Sequence, residues 1–291
     1  MGFIERMSNG QFVKICEIDP PKGVDTSELF KTADMLKGRV HSLLVADLPG
    51  AVMKMGSLAA SFLLKEQGFE TIFNLSCRDR NVLALESDIL SAYALGIRNL
   101  YIIDGVDIRS GDHPNALPVN NVNALGLLSI VKRLKEGFDS GGNELTGKPD
   151  FYTGAFINSN AKAHALDLEI AKLEEEIKLE AGFVVTPAIF DLKVFEEFIK
   201  KVRKSYSIPI IAEVILLKSV ATAKFINKHV ENIMVPDAII ERLYSAGDKQ
   251  AESIAIAVDL IKGLKDLCQG VKIVPLGWEA KVPAIINGVD M

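Results

Sequence analysis

The feature that most constrains this chain is an alternation, kept up from end to end, of short apolar runs with amphipathic stretches of helical period. FVKICEI (12–18) precedes SELFKTADMLKG, HSLLVAD (41–47) precedes KMGSLAASFLLKEQG, TIFNLS (71–76) precedes a helical pattern over 82–96, and NLYIIDG (99–105) follows. The second half continues with FYTGAFI (151–157), an acidic helical stretch over 163–181, FVVT (183–186), a helix over 192–204 and IPIIAEVIL (208–216). After Pro236 come two more helical stretches and a last run, VKIVPLG (271–277). Runs that are apolar on both faces suit parallel strands buried between an inner core and an outer layer of helices, and their alternation with helices marks βα units. Gly68 and Gly96 stand where two of the helices should end in left-handed caps. The count of strands is eight, and the expected fold is an α/β, eight-stranded (β/α)8 TIM barrel forming one domain over residues 1–291. Periodicity by itself would also suit a doubly wound open sheet. The turn-rich FDSGGNELTGKPD (138–150) reads as a surface loop, because strand-like sequence resumes directly after it.

Composition narrows the function. A chain of 291 residues that is 48% hydrophobic can bury a large core, and 33 basic against 38 acidic residues give no excess for a phosphate backbone, so nucleic acid is not an expected partner. Cys16, Cys77 and Cys268 form no C-x-x-C pair, which argues against disulfides and a thiolate zinc site, and points to a reducing, cytoplasmic setting. His41, His113, His164 and His229 fall at no metal-ligand spacing, so no metal is expected. No run approaches the roughly 18 apolar residues a bilayer span needs, and MGFIERMSNG lacks the apolar run of a signal peptide. A soluble, untargeted protein with no membrane contact is expected.

In a β/α barrel the functional groups gather where strands end and the following loops begin. Strand one closes on Glu17, Ile18, Asp19, Pro20 and Pro21; Glu17 in an enclosed pocket would suit a general acid, while Glu17 or Asp19 could equally cap the turn. Strand three closes on Asn74, Leu75, Ser76, Cys77, Arg78, Asp79, Arg80 and Asn81, where an arginine could meet a ligand phosphate or carboxylate, or pair with Asp79 to brace the rim. Strand four runs into IDGVDIRSGDHPNALP (103–118), in which Gly105 and Gly111 would allow close approach to a flat ligand or a pyrophosphate. The stretch is no G-x-G-x-x-G, and His113 in isolation reads as a hydrogen-bonded loop residue. The glutamates of LEIAKLEEEIKLEAG (168–182) read as a solvated face, and VPDAIIERL (235–243) as a helix with proline near its start.

Eight segments, in order, resemble the methylenetetrahydrofolate reductases: EIDPPKG (17–23), LSCRDRN (75–81) with ALGIRNLYIIDG after it, SGDHPNALPV (110–119), ELTGKPDFYTGAFIN (144–158), VVTPAIFD (184–191), IPIIAEVILLKS (208–219), VPDAIIERL (235–243) and IVPLGWEAKVPAII (273–286). The ELTGKPDF stretch and the last segment, IVPLGWEAKVPAII, look most like the short forms of anaerobic, acetogen-type one-carbon metabolism. The resemblance implies a flavin-dependent barrel oxidoreductase that reduces 5,10-methylenetetrahydrofolate to 5-methyltetrahydrofolate in one-carbon metabolism and methionine biosynthesis. It implies a tetrahydrofolate derivative as ligand, FAD or FMN as cofactor, NAD(P)H or a partner subunit as electron donor, and an oligomer. By position it makes Glu17 the general acid toward folate, and places the Gly105 loop and the GDHP segment against the flavin, with Asp47, Arg78, Asp79 and Asn81 near it. The expected cofactor-binding residues are Asp47, Asn74, Ser76, Arg78, Asp104, Gly105, Asp107, Gly111, His113, Leu117 and Pro118, and the expected substrate-binding residues Thr186, Phe190 and Glu213.

The chain departs from the family at Asn74 (usually His), Val106 (usually Asp, here one place later at Asp107), Pro187 (usually Gln), Glu213 (usually Gly) and Glu176 (often Lys). Several of these positions serve the cofactor, so a flavin-free folate-binding or assembly subunit, or a folate methyl-transfer protein, is the alternative expectation.

Overall fold

A computed structural model describes residues 2–291, and Met1 lies outside the described residues. Eight parallel strands close into a barrel in chain order: β1 (Val13–Ile18), β2 (Ser42–Val45), β3 (Thr71–Ser76), β4 (Asn99–Ile103), β5 (Tyr152–Phe156), β6 (Ala181–Ala188), β7 (Ile210–Ile215) and β8 (Gly270–Val274). β8 pairs with β1, and this pairing excludes the open sheet.

The outer layer comprises α2 (Ser27–Leu36), α3 (Ser57–Glu66), α4 (Val82–Ala94), α5 (Ala124–Glu136), α6 (His164–Lys178), α7 (Leu192–Val202), α8 (Val220–His229), α9 (Asp237–Ser245), α10 (Lys249–Leu264) and α11 (Val282–Asp290). Many starts are capped as their sequence dictates: Asn81 accepts from Ala84 N, Asn123 from Gly126 N, Asp191 from Val194 N and Asp248 from Ala251 N. Gly68 and Gly96 take positive φ after α3 and α4, the left-handed geometry expected of them. Residues 138–150 form a loop pinned by Glu86, whose carboxylate accepts from Ser140 N at 2.6 Å and Ser140 Oγ at 2.9 Å.

Because side chains alternate along a strand, each strand contributes to two cores. Cys16, Leu43, Val45, Phe73, Leu75, Leu100, Ile102, Val184 and Ile273 face the helices. Val13, Ile15, Leu44, Ile72, Tyr101, Phe183, Val185 and Ile211 face the barrel axis. A preceding helix, α1 (Phe3–Ser8), which the strand count did not anticipate, pushes Phe3 and Met7 into this inner core. Phe3 meets Tyr152 and Phe183 edge-on at centroid distances of 5.9 and 5.4 Å, and its full burial is worth about 1.5–3 kcal/mol. The N-terminal end of the barrel is therefore filled with apolar side chains, and polar groups enter the interior toward the strand C-termini.

Candidate active site at the barrel mouth

The inward phase of β1 runs Val13, Ile15 and then Glu17; that of β7 runs Ile211 and then Glu213; that of β8 runs from Gly270 to Lys272. Alternation thus aims three charged side chains at the axis from three neighbouring strands. Register fixes their heights: Glu213 lies directly opposite Lys272, while Lys272 lies opposite Ile15, so Glu17 is one inward step nearer the mouth. Lys272 Nζ donates to Glu17 Oε2 at 2.9 Å and lies 2.6 Å from Glu213 Oε2. Their side chains are only 6%, 18% and 15% exposed for Lys272, Glu17 and Glu213. Burial would lower the Lys272 ammonium, but the two carboxylates more than reverse this and hold it above the usual lysine range. Burial pushes the Glu213 carboxyl up, with partial relief from Lys272 and a further push from Glu17. The Tyr101 ring centroid lies 5.8 Å from Nζ, and burial holds its phenol protonated.

Lys272 was not among the sequence candidates. The signal available was a single lysine inside an otherwise apolar run, VKIVP, at a position whose phase faces the axis.

The rim from β2 to β4 is built differently. Asp47, fully buried, takes Arg80 in a two-pronged pair at 2.7 and 3.0 Å and accepts from Ser57 Oγ at 3.1 Å and Ser76 N at 3.0 Å. Asn74 accepts from Asp47 N at 3.2 Å and donates to the Tyr101 carbonyl at 2.9 Å. Arg78 pairs with Asp79 at 2.7 and 2.6 Å and donates to the Val106 carbonyl, so it braces the rim. Asp104 accepts from Ala124 N at the start of α5, and Asn81 caps α4.

The two glycines expected to admit a ligand are explained by the protein itself. A Cβ at Gly105, whose φ is +90°, would collide with Ser76 Oγ, and one at Gly111 would collide with the Ala51 carbonyl. The loops after β2 and β4 are thereby laid on each other, tied further by Asp112, which pairs with Lys22 and accepts from Met53 N at 3.0 Å. His113 Nδ1 lies 2.7 Å from Asp112 Oδ1. Asp107 pairs with Arg109 in solvent, and Leu117 and Pro118 are exposed on the same loop. Thr186 and Phe190 are buried, Thr186 Oγ1 donating to the Pro187 carbonyl beside an irregularity in the β6 pairing. The structure therefore joins Glu17 with Glu213, and Asp47 with Asn74, Ser76 and Gly105. Asp107, His113, Leu117 and Pro118 extend outward, and Thr186 and Phe190 are packed away.

Helix α6 corrects one expectation. Glu174 and Glu175 are solvated, but Glu176 is only 1% exposed, with Oε1 3.3 Å from Lys172 Nζ; Lys172 itself donates to the Phe156 carbonyl. Burial pushes the Glu176 carboxyl up to about 7 against the pull of Lys172. The period of an amphipathic helix turns every third or fourth residue inward, and the run of glutamates crosses that face.

Two clefts of about 410 and 520 Å³ lie elsewhere, one beside α7 and one beside Arg6, Lys37 and His41 at the N-terminal end. Neither contains the charged interior, so the site is assigned by its chemistry. Among the described residues no group of three or more His, Cys, Asp or Glu is arranged to hold a metal ion, and no helix is long and apolar enough to cross a membrane.

None of the curated proteins matches this sequence. Among solved structures, an uncharacterized protein from Clostridium thermocellum that binds two copies of 5-methyl-5,6,7,8-tetrahydrofolic acid superposes with a TM-score of 0.66 at 15% identity, covering 98% of this chain and 96% of that one. DmoA from Hyphomicrobium sulfonivorans (TM-score 0.57, 9% identity, 95% and 86% covered) and EDTA monooxygenase from Chelativorans sp. BNC1 (0.56, 11%, 96% and 93%) share the fold. The family model for methylenetetrahydrofolate reductase matches residues 3–288, and the chain belongs to that family.

Proposed function

We propose that this chain acts on the one-carbon unit of a tetrahydrofolate at the barrel mouth, converting a 5,10-methylene group to a 5-methyl group, with Glu17 as the residue that moves the proton. The observation that carries this reading is a carboxyl at the end of β1, aimed at the axis and held by Lys272 at 2.9 Å. Family membership and the folate bound by the Clostridium thermocellum protein of the same fold support it. Opening the methylene bridge breaks the bond between carbon and folate N10. N10 takes a proton from Glu17, N5 is left as an iminium, and a hydride delivered to the methylene carbon completes the methyl group. A side chain locked by its neighbours inside a closed barrel orients that proton and limits competing water.

FAD or FMN is the cofactor the family implies, and the β2–β4 rim does not fit its phosphates. Arg78 is spent on Asp79, Arg80 on Asp47 and Asp88, and the buried acid Glu176 stands where the family often carries a lysine. No step is therefore assigned to a flavin, and the hydride is taken from a separate reductant, NAD(P)H or a partner subunit. The test is the absorbance spectrum of the purified protein, the mass of anything released on denaturation, and calorimetric binding of 5-methyltetrahydrofolate. A colourless protein that binds this folate is expected. Stoichiometric flavin would overturn the flavin-free reading, and absence of folate binding would overturn the folate reading. Folate binding without reduction by any donor would reassign the chain to folate binding or methyl transfer.

A further inference from the structure

Two carboxylates around one ammonium leave a negative charge uncompensated in the barrel interior. Such a charge is costly where water is scarce, and a single added proton removes it. We propose that Glu17, Lys272 and Glu213 work as one proton-holding unit, in which Lys272 positions Glu17 and Glu213 keeps in reserve the proton that restores it. The idea deepens the folate reading above and rests on it for its last step.

The geometry supplies the order. Glu17 is nearest the mouth, Lys272 bridges, and Glu213 lies one step deeper, at the level of Lys272. The resting unit holds its one added proton on Glu213, with Glu17 a carboxylate beside the Lys272 ammonium. A Lys272 N–H proton passes to Glu17 as the Glu213 proton passes to Lys272 nitrogen; the Glu17 O–H bond then breaks as folate N10–H forms, leaving the ammonium between two carboxylates and the unit one proton short. Solvent at the mouth refills it. The other titratable groups coupled to the unit are Tyr101 from β4, within cation–π distance of Lys272, the buried Cys16 thiol beside Glu17 on β1, and, acting on Tyr101 from α6, Glu176. Burial of the Glu213 carboxyl, which favours its protonated form, agrees with the assignment of the reserve proton. Because the members are coupled, the unit titrates with macroscopic values that belong to all three.

The experiment is a carboxyl titration by carbon NMR on glutamate-labelled full-length protein, for the wild type, Glu213→Gln, Lys272→Met and Lys272→Arg, followed by the pH profile of folate reduction. In Glu213→Gln the remaining pair is already neutral, so the pH midpoint of the unit should fall by about one unit or more, with a tenfold loss of folate reduction at neutral pH. In Lys272→Met two carboxylates share one proton, so the midpoint should rise. Lys272→Arg should keep the midpoint near that of the wild type, a rescue that a merely structural lysine would not require. If Lys272→Met fails to fold, Glu213→Gln decides. A midpoint that stays put in Glu213→Gln, or moves the same way in both variants, overturns the proposal. The titration needs no folate, so a wild type that binds no 5-methyltetrahydrofolate yet shows the two opposite shifts would sink the functional reading and leave the proton-holding unit supported.

Discussion

The two sides of the barrel mouth use their charged groups in different ways. On the β2–β4 side, Asp47 satisfies four donors, Arg78 and Arg80 are each locked to carboxylates, and Asn74 spends its amide on backbone. On the β1, β7 and β8 side, one ammonium faces two carboxylates and the charge does not cancel. The first arrangement pairs its charges internally and secures the loops. The second has a proton or a counter-charge to exchange. A family resemblance read from strand ends weights both sides alike, whereas bookkeeping of hydrogen bonds separates scaffold from chemistry.

Substitutions on the two sides should therefore fail differently. Glu17→Gln should cut folate reduction by about 10²- to 10⁴-fold with an unchanged melting curve, measured by steady-state turnover; equal losses of activity and stability would erase the distinction. Asp47→Ala should leave Arg80 with Asp88 alone and Ser76 N without its acceptor, costing about 2–4 kcal/mol in denaturant unfolding, and a mild loss would show that the rim is not the structural side. Glu176→Gln tests a third location. Its folded pKa of about 7 is raised from the ordinary 4.5, so the wild type binds more protons folded than unfolded, and its contribution is present below 4.5 and lost as pH rises through about 7. The variant should lose that decline and gain up to about 3 kcal/mol above pH 7, read from denaturant melts across pH. The smallest effect belongs to Asp107→Ala on the outer loop. Its partner Arg109 is 83% exposed, and the melting temperature should not move beyond error, whereas a clear drop would bring that loop into the scaffold.

The barrel was legible because its strands are short, largely apolar on both faces and separated by helical stretches; TIFNLS at 71–76 coincides with β3, and most other strands lie within a residue or two of their runs. Glu17 was legible from its position at a strand end. The partner that gives Glu17 its setting was not, because Lys272 is 255 residues away and only the closing pair of strands brings them together. Gly105 and Gly111 were legible as close approaches, but what approaches them is Ser76 and Ala51, which sequence spacing does not disclose. Glu176 was hidden in a run of glutamates, since composition does not say which of three consecutive acids the helix turns inward.

The plug formed by Phe3 and Met7 carries a kinetic consequence. With the floor of the barrel stoppered, whatever reaches Glu17 must arrive and depart through a single door. On the function proposed above, an incoming folate would have to wait until the outgoing one had cleared, and a tightly held product would throttle turnover however fast the bond-making steps run.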